Sequence, residues 1–529
     1  MNMFLEISTL DLILRIGLIV LFFASTIYIG FYYKKKSATK DSFVLGGRKV
    51  NGWLSAFAYG TSYFSAVIFI GYAGSFGWAF GVSALWIGLG NAFIGSLLAW
   101  VLLGRRTRLL TQHLSSATMP DYFAKRFDSN ALKIASSIII FVFLLPYTAA
   151  LYNGLSILFA KAFNFDNYVI WILLISLITG FYVIAGGILS TSVNSFVQGL
   201  IMLIGIILVI VFALRINGGL NGSLEALADG SSWVYSSMFG PDPLHLLFVV
   251  LLTSLGTWGL PQMVGKFYSI TDEGQIKKGT VVSTIFAIVV AGGCYFLGGL
   301  GKLFVTDLSE VGGTSGIVPQ IVTQLPGIIV AVVVVLVLAA SMSTLSGLVL
   351  TSASTVVIDL IDSKKKMEEK HSVLLLRILV LAFILASAGL AIFQIYGPKQ
   401  LTNDIASLMG VSWGAISGAF IGPFLYSLYS KKITKTSVWV SFIMGILIAI
   451  LSLVFKFSGT VVQIKSASGL VLFDFADSIY MGVLAMVLSL VLTPLVSLFT
   501  KKMDSSKTDE MFACFEDEKV VKAKENLGE

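Results

Sequence analysis

The chain has 529 residues, of which 56% are hydrophobic and only 12% are charged, and its mean hydropathy is +0.90. Soluble domains carry about 25% charged residues, so this composition excludes a soluble enzyme and predicts a protein that crosses the membrane many times. The net charge of +8 is accordingly interpreted as cationic cytoplasmic loops and not as a nucleic-acid-binding surface.

The first apolar run, residues 10–33, is long, and lysines follow it and do not precede it. This pattern predicts a retained membrane span and not a cleaved signal peptide. Twelve further apolar runs follow, and we expect all of them to be helices because lipid leaves no partner for unpaired backbone groups. The thirteen predicted spans are 10–33, 53–75, 82–104, 134–159, 167–187, 196–216, 243–264, 279–304, 325–357, 372–396, 401–428, 434–457 and 477–499.

The basic residues predict the orientation of these spans. The segments after spans 1, 3, 7, 9 and 11 and the tail hold 29 of the 36 lysines and arginines, and the opposite face holds 7. By the positive-inside rule the N-terminus is outside and the C-terminus is cytoplasmic, which agrees with an odd number of spans. We therefore expect a multi-pass protein of the cell membrane (plasma or inner), with a solvated, loosely ordered cytoplasmic tail in 500–529.

Two predicted spans are interrupted by helix-breaking residues. Span 2 contains YGTSYFS at 59–65, and span 7 contains TSLGTWGLPQ at 253–262. Glycine and proline there can unwind the helix and free carbonyl groups for ions. The central glycines of the two interruptions are 196 residues apart, so 53–216 and 243–428 are predicted to be two five-helix repeats, the second inverted. The alternative is that glycine and serine merely permit close helix packing.

Span 9 carries a face of small and hydroxyl residues. Ala340, Ser343, Thr344 and Gly347 follow i, i+3, i+4, i+7 spacing and share one side of a helix. Two hydroxyls and a carbonyl on that face could meet the freed carbonyls of span 2, and uncharged oxygens suit a loosely held monovalent cation. A packing seam of small residues, or hydroxyls bonded to their own helix, explains the spacing equally well.

Charge within the spans is scarce. Arg15, Lys266 and Asp404 lie near span ends, and no pair of buried acids or histidines is apparent. The cysteines, Cys294 and Cys514, are far apart, and no HExxH, CxxC or phosphate-loop pattern occurs. These absences argue against an intramembrane enzyme and against proton coupling, which usually relies on intramembrane ionisable groups.

Several segments together carry a family resemblance. They are FVLGGR at 43–48, TMPDYF at 118–123 with Arg126 and Phe127, the stretch from Gly186 to Gln198, ASMST at 340–344 running on to Leu360, and Gly414, Gly418 and Pro423. By these segments the chain resembles the sodium/solute symporter family, which includes bacterial proline, pantothenate, sialic acid and sugar symporters. The resemblance covers about 40–500, and the span 9 motif is its most specific part.

The resemblance implies an all-α, LeuT-type 5+5 inverted repeat with about 13 transmembrane helices in a single transporter domain. An extra helix in 1–40 would precede the repeats, and two more in 434–499 would follow them. The family's common sodium site maps onto the backbone carbonyls of Thr61, Phe64 and Ala340 and the hydroxyls of Ser343 and Thr344. The solute would lie beside it, and the candidate substrate-binding residues are Tyr63, Ser65, Tyr147, Trp258 and Gln262.

Three positions depart from the family pattern. Ser195 stands where members with a second sodium carry aspartate, so we expect one sodium per cycle. Lys266 stands where arginine is frequent, and Thr253 stands where proline symporters have tryptophan, which weakens a proline assignment.

The sequence thus predicts a secondary active transporter that couples inward sodium flow to uptake of a small organic solute by alternating access. We expect a monomer whose partners are sodium, the solute and the lipid bilayer, with no catalytic residue and no nucleic acid. An amino acid such as proline, or a small carboxylate, is the preferred solute. A sugar or sialic acid symporter of the same fold, or a membrane sensor without net transport, is the alternative.

Overall fold

The computed structural model describes residues 9–34, 39–48, 50–230, 232–362, 368–397, 405–467, 469 and 471–516. Within these ranges the chain is a bundle of helices with one antiparallel pair of strands, Gln463–Lys465 and Val471–Asp474. The strands lie in the connection between spans 12 and 13. The bundle therefore agrees with the all-α class predicted from the apolar runs.

Among the described residues, ten helices are long and apolar enough to cross a membrane, and one bent pair would make an eleventh. The bounds are Thr9–Tyr33, Val67–His113, Asn130–Phe163, Tyr168–Ile216, the pair Pro243–Gly259 and Pro261–Tyr268, Glu273–Leu303, Gly327–Ile361, Glu369–Tyr396, Met409–Tyr429, Lys435–Ser458 and Ser478–Phe499. Shorter helices include Lys40–Leu45, Gly52–Tyr63, Met119–Phe127, Gly219–Gly230, Trp233–Ser236, Leu308–Val311, Ile317–Thr323 and Ser505–Glu516.

Two of the ten long helices contain an internal break, although each is counted as a single helix. Val67–His113 and Tyr168–Ile216 have 47 and 49 residues, and straight helices of that length would extend for about 70 Å against a hydrocarbon core of about 30 Å. Gly81 (φ 63°, ψ −143°) and Gly187 (φ 55°, ψ −153°) interrupt them with a backbone conformation open mainly to glycine. Both glycines fall at boundaries between predicted spans, while the total of thirteen crossings stays a prediction.

Spans 9 and 11 form the centre of the bundle. In each, 89% of the most apolar window is buried inside the protein, compared with 28% in the first helix and 39% in the last. Span 9 packs on spans 1, 4, 6 and 10, and span 11 packs on spans 4, 12 and 13. The small-residue face predicted in span 9 is therefore enclosed by other helices and does not face lipid.

The C-terminal segment differs from the expected loose tail. Ser505–Glu516 is a helix whose Phe512 is only 5% exposed, and the guanidinium of Arg126 lies 5.1 Å from the centre of that ring. Arg106 lies 4.7 Å from the ring of Phe515. The expectation of a loosely ordered segment is wrong for this helix, because its aromatic residues pack on basic residues of the bundle; residues 517–529 lie outside the described residues.

Candidate functional site

Span 2 is broken where the sequence predicted. The helix Gly52–Tyr63 ends at Phe64, whose backbone is extended (φ −111°, ψ 128°), and its N–H donates to the Thr61 carbonyl at 3.3 Å. The Ala66 N–H donates to the hydroxyl of Ser341 at 2.9 Å, so span 9 supplies a partner for the interrupted backbone. Such an external partner is required because a buried N–H without one is costly.

Span 7 has a matching break. Leu260 is extended (φ −83°, ψ 119°), and its N–H donates to the Thr257 carbonyl at 3.2 Å, the same pattern as at Phe64. Pro261 starts the next helix, and the two halves are bent by 46°. Phe64 and Leu260 are 196 residues apart, the offset predicted from the glycines. The two breaks therefore occupy corresponding positions in the chain.

The residues predicted to bind sodium lie together at the break of span 2. The hydroxyl of Thr344 is 3.5 Å from the Thr61 carbonyl oxygen, 3.3 Å from that of Phe64 and 3.2 Å from that of Ala340. The hydroxyl of Ser343 is 2.7 Å from that of Thr61. All five residues are buried, and the oxygens belong to carbonyls and hydroxyls without formal charge.

Ser195, one residue before predicted span 6, also contacts this cluster. The hydroxyl of Ser195 lies 2.8 Å from that of Ser343, at the position first noted only as a departure from the family pattern. One turn along, both amide atoms of Gln198 are buried without a hydrogen-bond partner. The side chain of Thr61 also takes part, although the sequence pointed only to its carbonyl. Sequence reasoning missed these contacts because isolated serines and glutamines in an apolar run carry no periodic signal.

Tyr63 and Trp258 sit at the two breaks. The hydroxyls of Tyr63 and Thr257 are 2.5 Å apart, which joins the break of span 2 to that of span 7. The indole N–H of Trp258 donates to the carbonyl of Ile94 in span 3 at 3.1 Å. Among the solute candidates, Tyr63 thus links the two breaks, and Trp258 is anchored on a neighbouring span.

The remaining solute candidates fall into two places. The Tyr147 hydroxyl faces Ser65 and Trp413, and the rings of Tyr147 and Trp413 are perpendicular with centres 5.9 Å apart. Gln262 instead lines a cavity of about 60 Å³ that it shares with Lys266. The structure therefore groups Ser65 with Tyr147 and places Gln262 in a separate cavity beside span 9.

Lys266 is a buried cation in that cavity. Its side chain is 7% exposed and faces Gly347 on span 9, and among the described residues no acidic side chain forms an ion pair with it. Thr118 and Thr351 also line the cavity. An ammonium without a partner in this setting can attract a negatively charged group.

A buried acid, Asp359, lies near the cavity that contains Lys266, since Thr118 lines that cavity and also contacts Asp359. Its carboxylate accepts hydrogen bonds from the Thr118 hydroxyl at 2.7 and 2.9 Å, and the Lys133 ammonium lies 3.6 Å away. Lys133 also pairs with Asp121 at 2.9 Å. Asp359 lies two residues past the predicted end of span 9 but inside the observed helix Gly327–Ile361, so the sequence pattern did not identify it as a buried acid. Its partners tie helix Met119–Phe127 to spans 4 and 9.

Comparison with known proteins gives a consistent assignment. The Sodium:solute symporter family matches residues 43–445. Sodium/proline symporter 2 of Staphylococcus saprophyticus is 28% identical over 506 residues, covering 93% of this chain and 94% of the relative. The osmoregulated proline transporter OpuE of Bacillus subtilis is 28% identical over 444 residues, covering 83% of this chain and 87% of the relative.

Among solved structures, the substrate-bound outward-open state of a Na⁺-coupled sialic acid symporter superposes with a TM-score of 0.74. The match covers 93% of this chain and 99% of that protein at 16% sequence identity. At this identity the likeness shows the fold, which is the LeuT-type transporter fold that the resemblance implied.

Proposed function

The chain belongs to the sodium:solute symporter family, and from that premise we propose that it couples inward sodium flow to the uptake of a small organic solute by alternating access. It is a multi-pass membrane transporter. The observation that carries the proposal is the close approach of the Thr344 hydroxyl in span 9 to the carbonyl oxygens of Thr61 and Phe64 in span 2. The matching break in span 7 supports a solute site between the two repeats.

The spacing of these oxygens suits an ion of sodium's size. Ligands about 2.3–2.6 Å from a hard cation, at right angles to each other, lie about 3.3–3.7 Å apart. The three oxygens around the Thr344 hydroxyl are 3.2–3.5 Å from it. Without a carboxylate the site would hold sodium loosely, as release into the cell on every cycle requires.

Coupling then follows from the position of the site. Sodium at this cluster would bridge span 2, whose backbone is already broken at Phe64, and the central span 9. An ion that binds better when these elements are close stabilises the state in which they meet. If the solute also prefers that state, each ligand raises the affinity for the other by the same factor.

For the solute, we propose an amino acid such as proline or a small carboxylate. The curated relatives are named for proline, and Lys266 offers a buried positive charge in the cavity beside span 9. The groups near the breaks, at Tyr63, Thr257, Ser65 and Tyr147, are neutral hydrogen-bonding partners. A sugar or sialic acid symporter of the same fold, or a sensor without net transport, remains the alternative.

Uptake by proteoliposomes tests the transport function. Purified protein is reconstituted and offered radiolabelled proline, a small carboxylate, galactose or sialic acid, with an inward sodium gradient or with potassium in its place. We expect accumulation of the amino acid or carboxylate only with the sodium gradient, and a Hill coefficient for sodium near 1. Equal uptake with and without the sodium gradient would refute sodium coupling. A Hill coefficient near 2 would refute a stoichiometry of one sodium per cycle.

The sodium site has its own test. Ser343→Ala and Thr344→Ala each remove one hydroxyl ligand, and a contact to a charged group contributes about 1.5–3 kcal/mol, so we expect a rise of about 10- to 100-fold in the sodium concentration for half-maximal uptake. Ser352→Ala is the matched control, because Ser352 is a buried serine of the same helix whose hydroxyl has no hydrogen-bond partner. An unchanged sodium dependence in both site variants would remove this assignment.

A further inference from the structure

A groove opens on the lipid-facing side of the bundle between spans 1, 5 and 10. Its volume is about 570 Å³, and we call it the 1–5–10 groove. Large apolar side chains, each about half exposed, form most of its walls: Phe31, Leu173, Leu177, Phe181, Leu381 and Leu385. None of the residues that line the groove belongs to the breaks of spans 2 and 7, and the transport function described above does not use the groove.

Two cations stand at one end of the 1–5–10 groove. Lys34 directly follows helix Thr9–Tyr33, and Arg377 lies about two turns inside helix Glu369–Tyr396. By the distribution of basic residues, both belong to the predicted cytoplasmic end. The Nε atom of Arg377 is buried without a hydrogen-bond partner, and among the described residues no acidic side chain forms an ion pair with Arg377 or Lys34. A cation close to the apolar part of the membrane is costly and favours an anionic partner.

We propose that the 1–5–10 groove binds an anionic phospholipid of the inner leaflet. The lipid phosphate would lie between Lys34 and Arg377, and an acyl chain would extend along the apolar walls toward Leu173. Basic pockets between transmembrane helices on the cytoplasmic side bind anionic headgroups, and the anionic leaflet concentrates that ligand next to the groove. The lipid chemistry matches both features, since one molecule supplies the charge and the apolar length.

A second lipid-facing groove provides an internal comparison. It lies between spans 3 and 7, has a volume of about 510 Å³, and is lined by apolar residues including Trp86, Phe93, Leu247 and Val250. Among the residues that the structure describes, no basic side chain lines it. The charge of a lipid would not affect its binding in this second groove. Preferential binding of an anionic lipid can therefore be attributed to the 1–5–10 groove.

Native mass spectrometry of the full-length protein in detergent tests the proposal. The protein is incubated with equal amounts of dioleoylphosphatidylglycerol and dioleoylphosphatidylcholine. We expect the wild type to retain one phosphatidylglycerol in preference to phosphatidylcholine. Arg377→Gln and Lys34→Gln should each lower that preference about fivefold, the effect expected for one basic residue at an anionic surface. Lys370→Gln, an exposed lysine of the same helix that does not line the groove, should leave the preference unchanged.

A groove-filling variant separates this site from general attraction to the membrane. Gly180 lines the groove, and a Cβ there would make an ordinary contact at 3.6 Å with Ile384, so Gly180→Leu should fill the groove and abolish retention of the lipid. Gly389→Leu is the control, because nothing lies within 4 Å of a Cβ at that position. Arg377→Lys keeps the positive charge and should keep most of the preference for phosphatidylglycerol. This result would show that the loss in Arg377→Gln comes from the lost charge and not from misfolding.

Three outcomes would overturn the proposal. They are equal retention of the two lipids by the wild type, an unchanged preference in the Arg377→Gln and Lys34→Gln double variant, and undiminished retention in Gly180→Leu. Failure of sodium-driven uptake would leave these measurements intact, because they do not depend on transport.

Discussion

At the scale of single residues, the cluster around Thr344 is defined by small groups in close contact. The Ser343 hydroxyl lies 2.7 Å from the Thr61 hydroxyl and 2.8 Å from the Ser195 hydroxyl, so it contacts both. A hydroxyl can donate or accept, so these groups can reorient toward an ion without leaving an unpaired charge behind. A network of neutral groups is well suited to a site that must be stable both filled and empty.

Gly95 provides a residue-scale test of the link between the two breaks. A Cβ at Gly95 would overlap the Tyr63 hydroxyl and lie 2.8 Å from Cζ of that ring, so Gly95→Ala should separate Tyr63 from Thr257. Overpacking of this kind costs about 1–3 kcal/mol, and we expect a lower melting temperature together with reduced uptake.

Gly389→Ala is the matched control for this substitution, because a methyl group there meets no neighbour. Adding Tyr63→Phe to Gly95→Ala removes the overlapping hydroxyl and should recover part of the lost stability. Equal melting temperatures for Gly95→Ala and Gly389→Ala would contradict the close packing around Tyr63.

At the scale of elements, the C-terminal helix Ser505–Glu516 joins segments that are far apart in sequence. Lys507 pairs with Asp128 at 2.8 Å and thereby lowers the pKa of that carboxyl, and Lys431 pairs with Asp509 at 2.8 Å. Both pairs are exposed and contribute little. Docking therefore depends on buried side chains such as Phe512, which packs beside Arg126. The helix needs such contacts because a free helix of 12 residues is marginal in water.

Phe512→Ala tests the docking of this helix. The substitution removes the buried ring and its contacts with two cations, so the helix should detach while the bundle stays folded. Limited trypsin digestion at Lys507 should become at least several-fold faster, with little change in the melting temperature of the bundle. Glu510→Ala changes an exposed side chain of the same helix and should digest like the wild type; equal digestion of Phe512→Ala would contradict the assigned contact.

At the scale of the whole molecule, the basic residues predict the orientation in the membrane. The protein has 36 lysines and arginines, and the predicted cytoplasmic end holds 29 of them. The helix Gly219–Gly230 lies between spans 6 and 7, a connection that the positive-inside rule predicts to be at the opposite end. The two ends should thus differ in their access to reagents that do not cross the bilayer.

Cysteine labelling checks this orientation. Cys294 and Cys514 are buried and can be replaced by serine, which leaves a background for single cysteines at exposed positions. Asn221→Cys in the predicted outer connection should react with an impermeant maleimide in intact cells, and Thr436→Cys in the first turn of span 12 should react only after permeabilisation. The reverse pattern would contradict the predicted topology, and labelling of both positions in intact cells would contradict their placement on opposite sides.

The sequence by itself determined the features that depend on local order. Apolar run length defined the spans, and glycine and proline predicted breaks that the structure has at Phe64 and Leu260. Helical spacing predicted which side of span 9 would carry Ser343 and Thr344, because 3.6 residues per turn set neighbours on a face before any packing occurs.

Only the tertiary structure decided which of these elements meet. The contacts between Ser195 and Ser343 and between Tyr63 and Thr257 join residues 148 and 194 positions apart, and the acid Asp359 is satisfied by partners on other helices. Such partners depend on how helices cross and not on any local pattern, since a single serine or aspartate has no period to detect. The docked tail helix and the two cations of the 1–5–10 groove likewise became visible only once the spans were packed together.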